Sequence, residues 1–237
     1  MAGWVRIGEP PITVRLRRQA NARRLVLRVA AEGEPVLTAP VRCRPAELRC
    51  FLDTHESWLR ARLAARPAPV PLGEGARLPV GGREVVLQLG PRVALRDDGV
   101  LELPGPEPLL PSRAAGFLRV LAREACAAAA SRHAAALGRA HGRITLRDTR
   151  SRWGSCTSRG DLMFSWRLAM APPEVLDYVV AHEVAHLAEM NHSERFWAVV
   201  ARLMPGYATP RAWLRRNGAA LHRYDFRTLP AERLHPA

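Results

Sequence analysis

Two histidines and a glutamate stand at a spacing that can place a metal ion beside a general base. His182, Glu183 and His186 form the pattern HExxH, whose chance occurrence in this chain is on the order of one in a hundred. On a helix, residues four apart project side by side, so both imidazoles can bind one tetrahedral ion at ~2.0–2.1 Å. Bound Zn²⁺ lowers the pKa of its water to about 7, and Glu183 can take the proton as the water attacks. The pattern predicts a zinc-dependent hydrolase.

A catalytic zinc site usually has three protein ligands, and His192 is the strongest candidate for the third. On a continuous helix it would lie off the ligand face, so the helix must stop after His186 and the chain must turn back. Asn191 tolerates the left-handed conformation that ends helices, and Ser193 can cap a new helix beginning at Glu194. The other residues that could compete for the position are His222, Glu189, Glu194, Asp225 and Glu232.

The residues before this pattern favour a helix that carries His182 and His186, which we call the metal helix. Pro172 and Pro173 suit a helix start, Glu174 suits its positive end, and Val175 and Val179 extend the face of the two histidines. The alternative interpretation is that the histidines belong to the core, which is the usual role of a lone buried histidine. Three histidines at these intervals beside a glutamate favour metal binding.

Two proline clusters, at 67–71 and 104–111, separate three parts of the chain. The predicted elements before residue 109 are strands at 12–16 and 24–29, a helix at 45–65, and a meander of strands at 84–89, 93–95 and 100–103, with a turn at 97–99. Those after it are a helix at 112–137, strands at 143–147 and 162–166, the metal helix, and the helix capped by Ser193. The prediction is an α+β fold, with a β-rich N-terminal lobe (1–108) carrying one helix and a zincin-like C-terminal lobe (109–237), together one module.

The segment from Arg152 to Cys156 lies between two predicted strands and could face the metal. Arg152 or Ser155 could then stabilise a developing oxyanion. The other interpretation is a buried turn in which Gly154 gives freedom to the backbone and Trp153 and Cys156 pack in the core. We expect packing roles for Trp153 and Cys156, leave Arg152 open between the two roles, and regard Cys156 as a minor candidate for a metal ligand.

With Arg152-Trp-Gly-Ser-Cys156, Tyr178-Val-Val-Ala-His-Glu-Val-Ala-His186 and Asn191-His-Ser-Glu-Arg-Phe-Trp197 together, the chain resembles the YgjP-like metallopeptidase family, from its N-terminal strands to about Arg216. The resemblance implies a minimal zincin fold, more distantly related to SprT-like proteases that degrade proteins attached to DNA, and supports His192 as third ligand. Glu189 stands where the metzincin pattern HExxHxxGxxH has glycine, so the chain is not a metzincin. No downstream helix carries a carboxylate that would match a glutamate-liganded zincin.

The net charge of +14 would suggest a polyanionic partner, but composition weakens that inference. All 36 basic residues are arginine, and alanine and proline are also abundant, as a GC-rich coding bias would produce. The arginines are spread along the chain without the interleaved aromatic residues of single-strand binders. We therefore expect weak, non-specific, salt-sensitive contact with nucleic acid at most.

The four cysteines are scattered, without a CxxC pair, and we expect reduced thiols. No run of 18 apolar residues and no secretory signal is apparent, which predicts a soluble, cytoplasmic protein with no membrane partner.

Three functions are compatible with these features. The first is a peptidase that acts on protein or peptide substrates. The second is a metal-dependent hydrolase of nucleotides or other phosphoanhydrides, since arginines hold phosphate, although no phosphate-binding glycine loop is present. The third is a non-catalytic module with structural zinc that contacts nucleic acid, and an intact Glu183 argues against it.

Overall fold

The computed structural model of the chain describes residues 2–30, 33–64 and 68–227, which form two compact units, Met1–Ala68 and Pro69–Ala237. This division differs from the lobe boundary predicted after residue 108. The strands that follow residue 76 bury Leu78 and Leu101 in the same core as Leu118 of the long helix. They therefore belong to the second unit. The fold is α+β, as predicted.

The first unit is a four-stranded sheet with two helices on one face. The strands are β1 (Ala2–Ile7), β2 (Ile12–Gln19), β3 (Val26–Val29) and β4 (Pro35–Pro40), in the order β1-β2-β4-β3. The helices are α1 (Pro45–Thr54) and α2 (Glu56–Ala64). Every second strand residue, such as Val14 and Leu37, packs against Leu52 and Leu59 of the helices. The two strands predicted in this region are confirmed.

The single helix predicted over 45–65 is wrong, because the chain forms two helices that meet at His55. The backbone N–H of His55 donates to the carbonyl groups of Phe51 and Leu52, and its Nδ1 donates to Phe51 at 2.8 Å. This local capping ends α1 after Thr54. Ala65, the predicted end, lies outside the described residues.

The second unit begins with five strands, of which the last four form a mixed sheet. The strands are β5 (Val70–Pro71), β6 (Arg77–Val80), β7 (Arg83–Leu89), β8 (Ala94–Leu95) and β9 (Val100–Leu103). The last four form a sheet in the order β6-β7-β9-β8, and β7 and β9 are parallel, so the predicted meander is wrong. The reason is burial: β9 places Leu101 and Leu103 in the core, whereas the two-residue β8 can only lie at the edge. The turn before β9 is confirmed, with Gly99 at a φ of 83°.

The rest of the unit carries the metal helix. Its elements are α3 (Leu110–Leu137), β10 (Ile144–Arg147), β11 (Gly154–Cys156), β12 (Leu162–Ser165), a 3-10 helix (Trp166–Met170), α4 (Pro173–Ala185), α5 (Glu194–Leu203), α6 (Ala208–Leu221) and β13 (Tyr224–Asp225). Three of these strands form a sheet in the order β10-β12-β11, and β13 pairs with β5. The predicted long helix and both strands are confirmed, apart from Trp166, which begins the 3-10 helix. Within the described part of the chain, no helix is long and apolar enough to span a membrane.

Candidate metal centre

The helix α4 is fixed at its N-terminal end before it reaches the histidines. Pro172 occupies the N-cap position, Pro173 begins the helix, and Glu174 lies in the first turn, as predicted. One turn later the Asp177 carboxylate accepts hydrogen bonds from His133 Nε2 at 2.8 Å and from Arg132 at 2.6 Å, both on α3. Because His133 is only 5% exposed, this contact ties α4 to α3 within the protein interior.

The helix ends at the second histidine, and the chain turns back toward the first. His186 is the C-cap of α4, and a turn of six residues leads to Ser193, whose hydroxyl accepts a hydrogen bond from the Phe196 backbone N–H at the start of α5. The predicted left-handed Asn191 is wrong, since no described residue other than glycine has a positive φ. Its side-chain oxygen instead accepts the Ser193 N–H at 3.1 Å, which forms the turn without backbone strain.

This elbow brings the three predicted histidines together. One ring nitrogen from each of His182, His186 and His192 lies within 4.8 Å of the others, and the Nε2 atoms of His182 and His192 are 3.0 Å apart. Ligand nitrogens of a tetrahedral zinc ion at ~2.0–2.1 Å would be about 3.3 Å apart. Two facing imidazole nitrogens also need a shared cation or a proton between them. The cluster therefore fits a metal ion.

The hydrogen bond of His186 leaves the correct nitrogen free for a metal. Its Nδ1 lies 2.9 Å from the Glu189 carbonyl oxygen, which can only accept, so Nδ1 carries the proton and Nε2 keeps its lone pair. Burial lowers the pKa of His186, and of His182 to about 4, with the nearby His192 lowering both further. Neutral imidazoles are the form that binds metal ions.

The Nδ1 atom of His182, unlike that of His186, has no hydrogen-bond partner among the described residues, and it is buried. The ring is held by aromatic packing instead, with Phe196 at 4.8 Å, Trp197 at 5.7 Å and Tyr178 at 6.0 Å between ring centroids. Its orientation therefore depends on the start of α5.

Glu183 lies beside the cluster with its carboxylate inside the protein. Only 7% of the residue is exposed, and burial raises the pKa of its carboxyl to about 7, while the positive charge of Arg152 acts in the opposite direction. A dication held by the histidines would also favour the ionised form. The Glu183 side chain packs against β11 at Gly154, and it fits there because Gly154 has no side chain.

A cavity of about 580 Å³ joins these groups. The segment 151–156 lines this cavity together with Tyr178, Glu183 and the three histidines. Arg152 is exposed at the cavity and acts electrostatically on Glu183, and Ser155 lines the same cavity. The structure thus brings the predicted Arg152 to the cluster, where its role in a reaction stays a prediction.

Trp153 and Cys156 have packing contacts, as expected, and also border the cavity. Trp153 stacks on His222 at 4.9 Å and packs against both apolar cores of the second unit. The Cys156 thiol donates to the Thr157 carbonyl at 3.3 Å, and burial raises its pKa to about 11. It is not part of the ligand cluster.

The alternative third ligands are not part of the described histidine cluster either. His222 stacks on Trp153, Asp225 pairs with Arg227 at 2.6 Å, and the backbone carbonyl of Glu189 accepts a hydrogen bond from His186. Glu232 lies outside the described residues.

The sequence analysis did not predict the contacts of Arg167, which fix the loop beside the cavity. Arg167, 3% exposed, makes a two-point ion pair with Asp148 at 2.7 and 3.2 Å and donates to the carbonyl groups of Leu221 and Tyr224. It thereby ties the loop before Arg152 to the end of α6. No local pattern announces this contact, because its partners are 19 to 57 residues away in sequence.

Known proteins share similarity with this chain in sequence or in structure. A model of the YgjP-like family, described as a metallopeptidase domain, matches residues 23–217. The crystal structure of the metallopeptidase zymogen of Pyrococcus abyssi abylysin is similar at 20% identity, with a TM-score of 0.35, over 39% of this chain and 92% of that one. No curated protein matches the chain.

Proposed function

The chain belongs to the YgjP-like family of metallopeptidase domains, and we propose that it is a zinc-dependent peptidase that cleaves protein or peptide substrates. The observation that carries the proposal is the convergence of three imidazoles beside the buried carboxylate of Glu183 in one open cavity. A metal site with a free face and an adjacent general base is the minimal equipment for hydrolysing an unactivated amide.

Zinc is the metal that this donor set favours. His182, His186 and His192 would hold it through neutral nitrogens, and neither a thiolate nor a carboxylate completes the described cluster, so a fourth position stays open. Bound there, zinc would supply a Lewis acid for the scissile carbonyl and lower the pKa of a water molecule.

Glu183 would move the proton. As a carboxylate it can take a proton from the attacking water and return it to the leaving amine, so that one residue acts as base and then as acid. Arg152 faces the same cavity and supports the ionised form of Glu183 by its charge. We propose Arg152 as the donor that stabilises the oxyanion of the tetrahedral intermediate.

A strand edge beside the cluster favours a polypeptide substrate. The strand β11 pairs with β12 on one side, and no described strand pairs with its other side. Its residues 154–156 line the cavity. An extended peptide can add to such an edge through backbone hydrogen bonds, which would lay its amide groups beside the histidines. A nucleoside triphosphate would instead need several cations, and Arg152 is the one arginine among the described residues that line the cavity.

The test is activity profiling of the zinc-loaded chain against casein, peptides and nucleoside triphosphates, with and without DNA. The proposal expects new peptide termini, detected by mass spectrometry, that are absent with the matched variant Glu183→Gln. Phosphate release without peptide cleavage would replace the proposal by nucleotide hydrolysis. Stoichiometric zinc without turnover of any substrate would favour a structural metal.

A further inference from the structure

The net charge is concentrated in the first unit. Residues 1–68 contain 13 arginines and six acidic residues, which leaves 23 arginines and 16 acidic residues for the other 169 positions. Each unit thus carries half of the charge of +14, although the first has less than a third of the chain.

The strand register gathers part of this charge on one face of the sheet. Trp4, Arg15, Val36 and Arg28 are direct cross-strand neighbours and form a row across all four strands. They alternate with residues of the apolar core, so the row lies on the face opposite the helices. Val36 is only 2% exposed, flanked by two arginines whose stems can cover it.

A second row runs parallel to the first on one side, from Arg17 through Thr38 to Val26. Arg6 lies on the other side of the first row, two residues along β1 from Trp4 and directly opposite Thr13. We call the surface formed by Trp4, Arg6, Arg15, Arg17 and Arg28 the arginine face. Arg15 and Arg17 are two residues apart on β2, about 6.6–6.8 Å, and Arg28 lies two strands away from Arg15, about 9–10 Å.

Trp4 is the exposed aromatic residue of the arginine face. Its exposed fraction is 63%, and the guanidinium of Arg15 lies 6.0 Å from the centre of its ring. A large apolar ring kept in solvent does not stabilise the fold by burial. Its position beside a cation suits a flat, partly charged ligand.

Three of the five described acidic residues of the first unit lie on the helices, and Glu9 lies in the turn between β1 and β2. Glu47, Asp53 and Glu56 lie on the helices, where Asp53 and Glu56 pair with helical arginines. Glu34, the residue before β4, pairs with Arg15 of the face at 3.4 Å. The other three cations, Arg6, Arg17 and Arg28, have no ion pair with any described residue.

We propose that the arginine face binds single-stranded nucleic acid. Guanidinium groups can hold successive phosphates, and the exposed ring of Trp4 offers a base an aromatic surface on which to stack. A sheet face that combines these two contacts accommodates bases that are free of a duplex, whereas duplex grooves are read by protruding helices or ribbons. Binding is independent of base sequence and sensitive to salt.

A membrane surface would also attract cations, but the face has little to insert into lipid. Apart from Trp4, its exposed apolar residue is Val26, at 41%, in the second row. Membrane-bound surfaces usually add several large apolar side chains to their cations. The small number of exposed apolar side chains on the arginine face therefore favours a nucleic acid over a membrane as its partner.

The experiment uses the full chain and a fluorescein-labelled oligothymidylate in fluorescence anisotropy titrations. The face variant is Arg17→Gln with Arg28→Gln, and the matched control is Arg42→Gln with Arg62→Gln, which removes two exposed charges of the same unit outside the face. Trp4→Leu tests stacking. Circular dichroism checks that each variant is folded.

Trp4→Leu is expected to weaken binding roughly five- to hundredfold, the range for loss of a base-stacking side chain. The face variant removes two phosphate contacts, so it should weaken binding and reduce the steepness of the salt dependence by about 1.4. The control variant should change affinity less than about threefold, in line with a purely long-range charge effect. If four phosphates are contacted, log K against log salt should fall with a slope of about −3. Glu183→Gln should bind like the unchanged chain, which separates this inference from the proposed peptidase activity.

Four results would overturn the inference. Equal losses in the face and control variants would mean that net charge alone drives binding. Unchanged affinity in Trp4→Leu would show that no base stacks on Trp4. Duplex DNA bound as tightly as the single strand would show that no unpaired base is recognised. Binding to vesicles with phosphatidylserine but not to the oligonucleotide would assign the face to membranes.

Discussion

The carboxylate of Glu183 occupies the space in which a side chain at residue 154 would stand. A Cβ atom on Gly154 would lie 2.6 Å from Cγ and 2.7 Å from Oε1 of Glu183. Gly154 has no positive φ, so its requirement is space and not backbone conformation. The strand β11 can therefore pack on α4 at this point only if it carries glycine.

Gly154→Ala should lower turnover by roughly tenfold to a hundredfold, because a shift of the general base by about 1 Å can cost 10²-fold. Zinc content should stay near that of the unchanged chain, since the three atoms nearest to an added Cβ all belong to Glu183, which is not a proposed ligand. The matched control is Gly116→Ala on α3, where an added Cβ meets nothing within 4 Å. Turnover within twofold of the unchanged chain for Gly154→Ala would contradict the positioning role of this glycine.

Removal of a histidine ligand should release the metal. His182→Ala and His192→Ala each leave two imidazoles, and we expect zinc per chain, measured by elemental analysis without added metal, to fall well below one. His141→Ala is the control, because His141 lies outside the cluster. Full zinc retention in both ligand variants would refute the assignment.

The Asp177 contact should make stability depend on acid pH. Burial alone favours the neutral carboxyl, but His133 and Arg132 outweigh it and hold the pKa of Asp177 below its usual 3.8. A pKa lower in the folded than in the unfolded chain means that the carboxylate stabilises the fold above about pH 4 and loses this effect as pH falls further.

Urea unfolding at pH 7, 5, 4 and 3 checks this prediction. Asp177→Asn should be less stable than the unchanged chain at pH 7, and the difference should shrink at pH 3. A constant difference across the series would mean that the charge of Asp177 contributes nothing.

The parts of the site that sequence could predict are those set by neighbours along the chain. Helical spacing places His182 beside His186, proline marks the helix start, and the Ser193 cap fixes the entry to α5. Each depends on a few consecutive residues. The same kind of reasoning erred at Asn191, whose side chain makes the turn by a hydrogen bond where a left-handed backbone was expected.

The rest depends on contacts between distant segments. The fit of Gly154 against Glu183 requires a strand and a helix 29 residues apart, and Arg167 meets carbonyl groups 54 and 57 residues away. The arginine face is another example. Its members are dispersed in sequence and become neighbours only through the register of the sheet.

The central claim is that Glu183 transfers the proton in a zinc-dependent hydrolysis. Glu183→Gln keeps the size of the side chain and should leave folding and zinc content nearly unchanged. The decisive measurement is its turnover relative to the unchanged chain at matched zinc occupancy, on the substrate that profiling identifies. We predict a loss of roughly 10²–10⁴-fold, the usual contribution of general acid–base catalysis. Turnover close to that of the unchanged chain would contradict the mechanism and leave a different base or a structural metal.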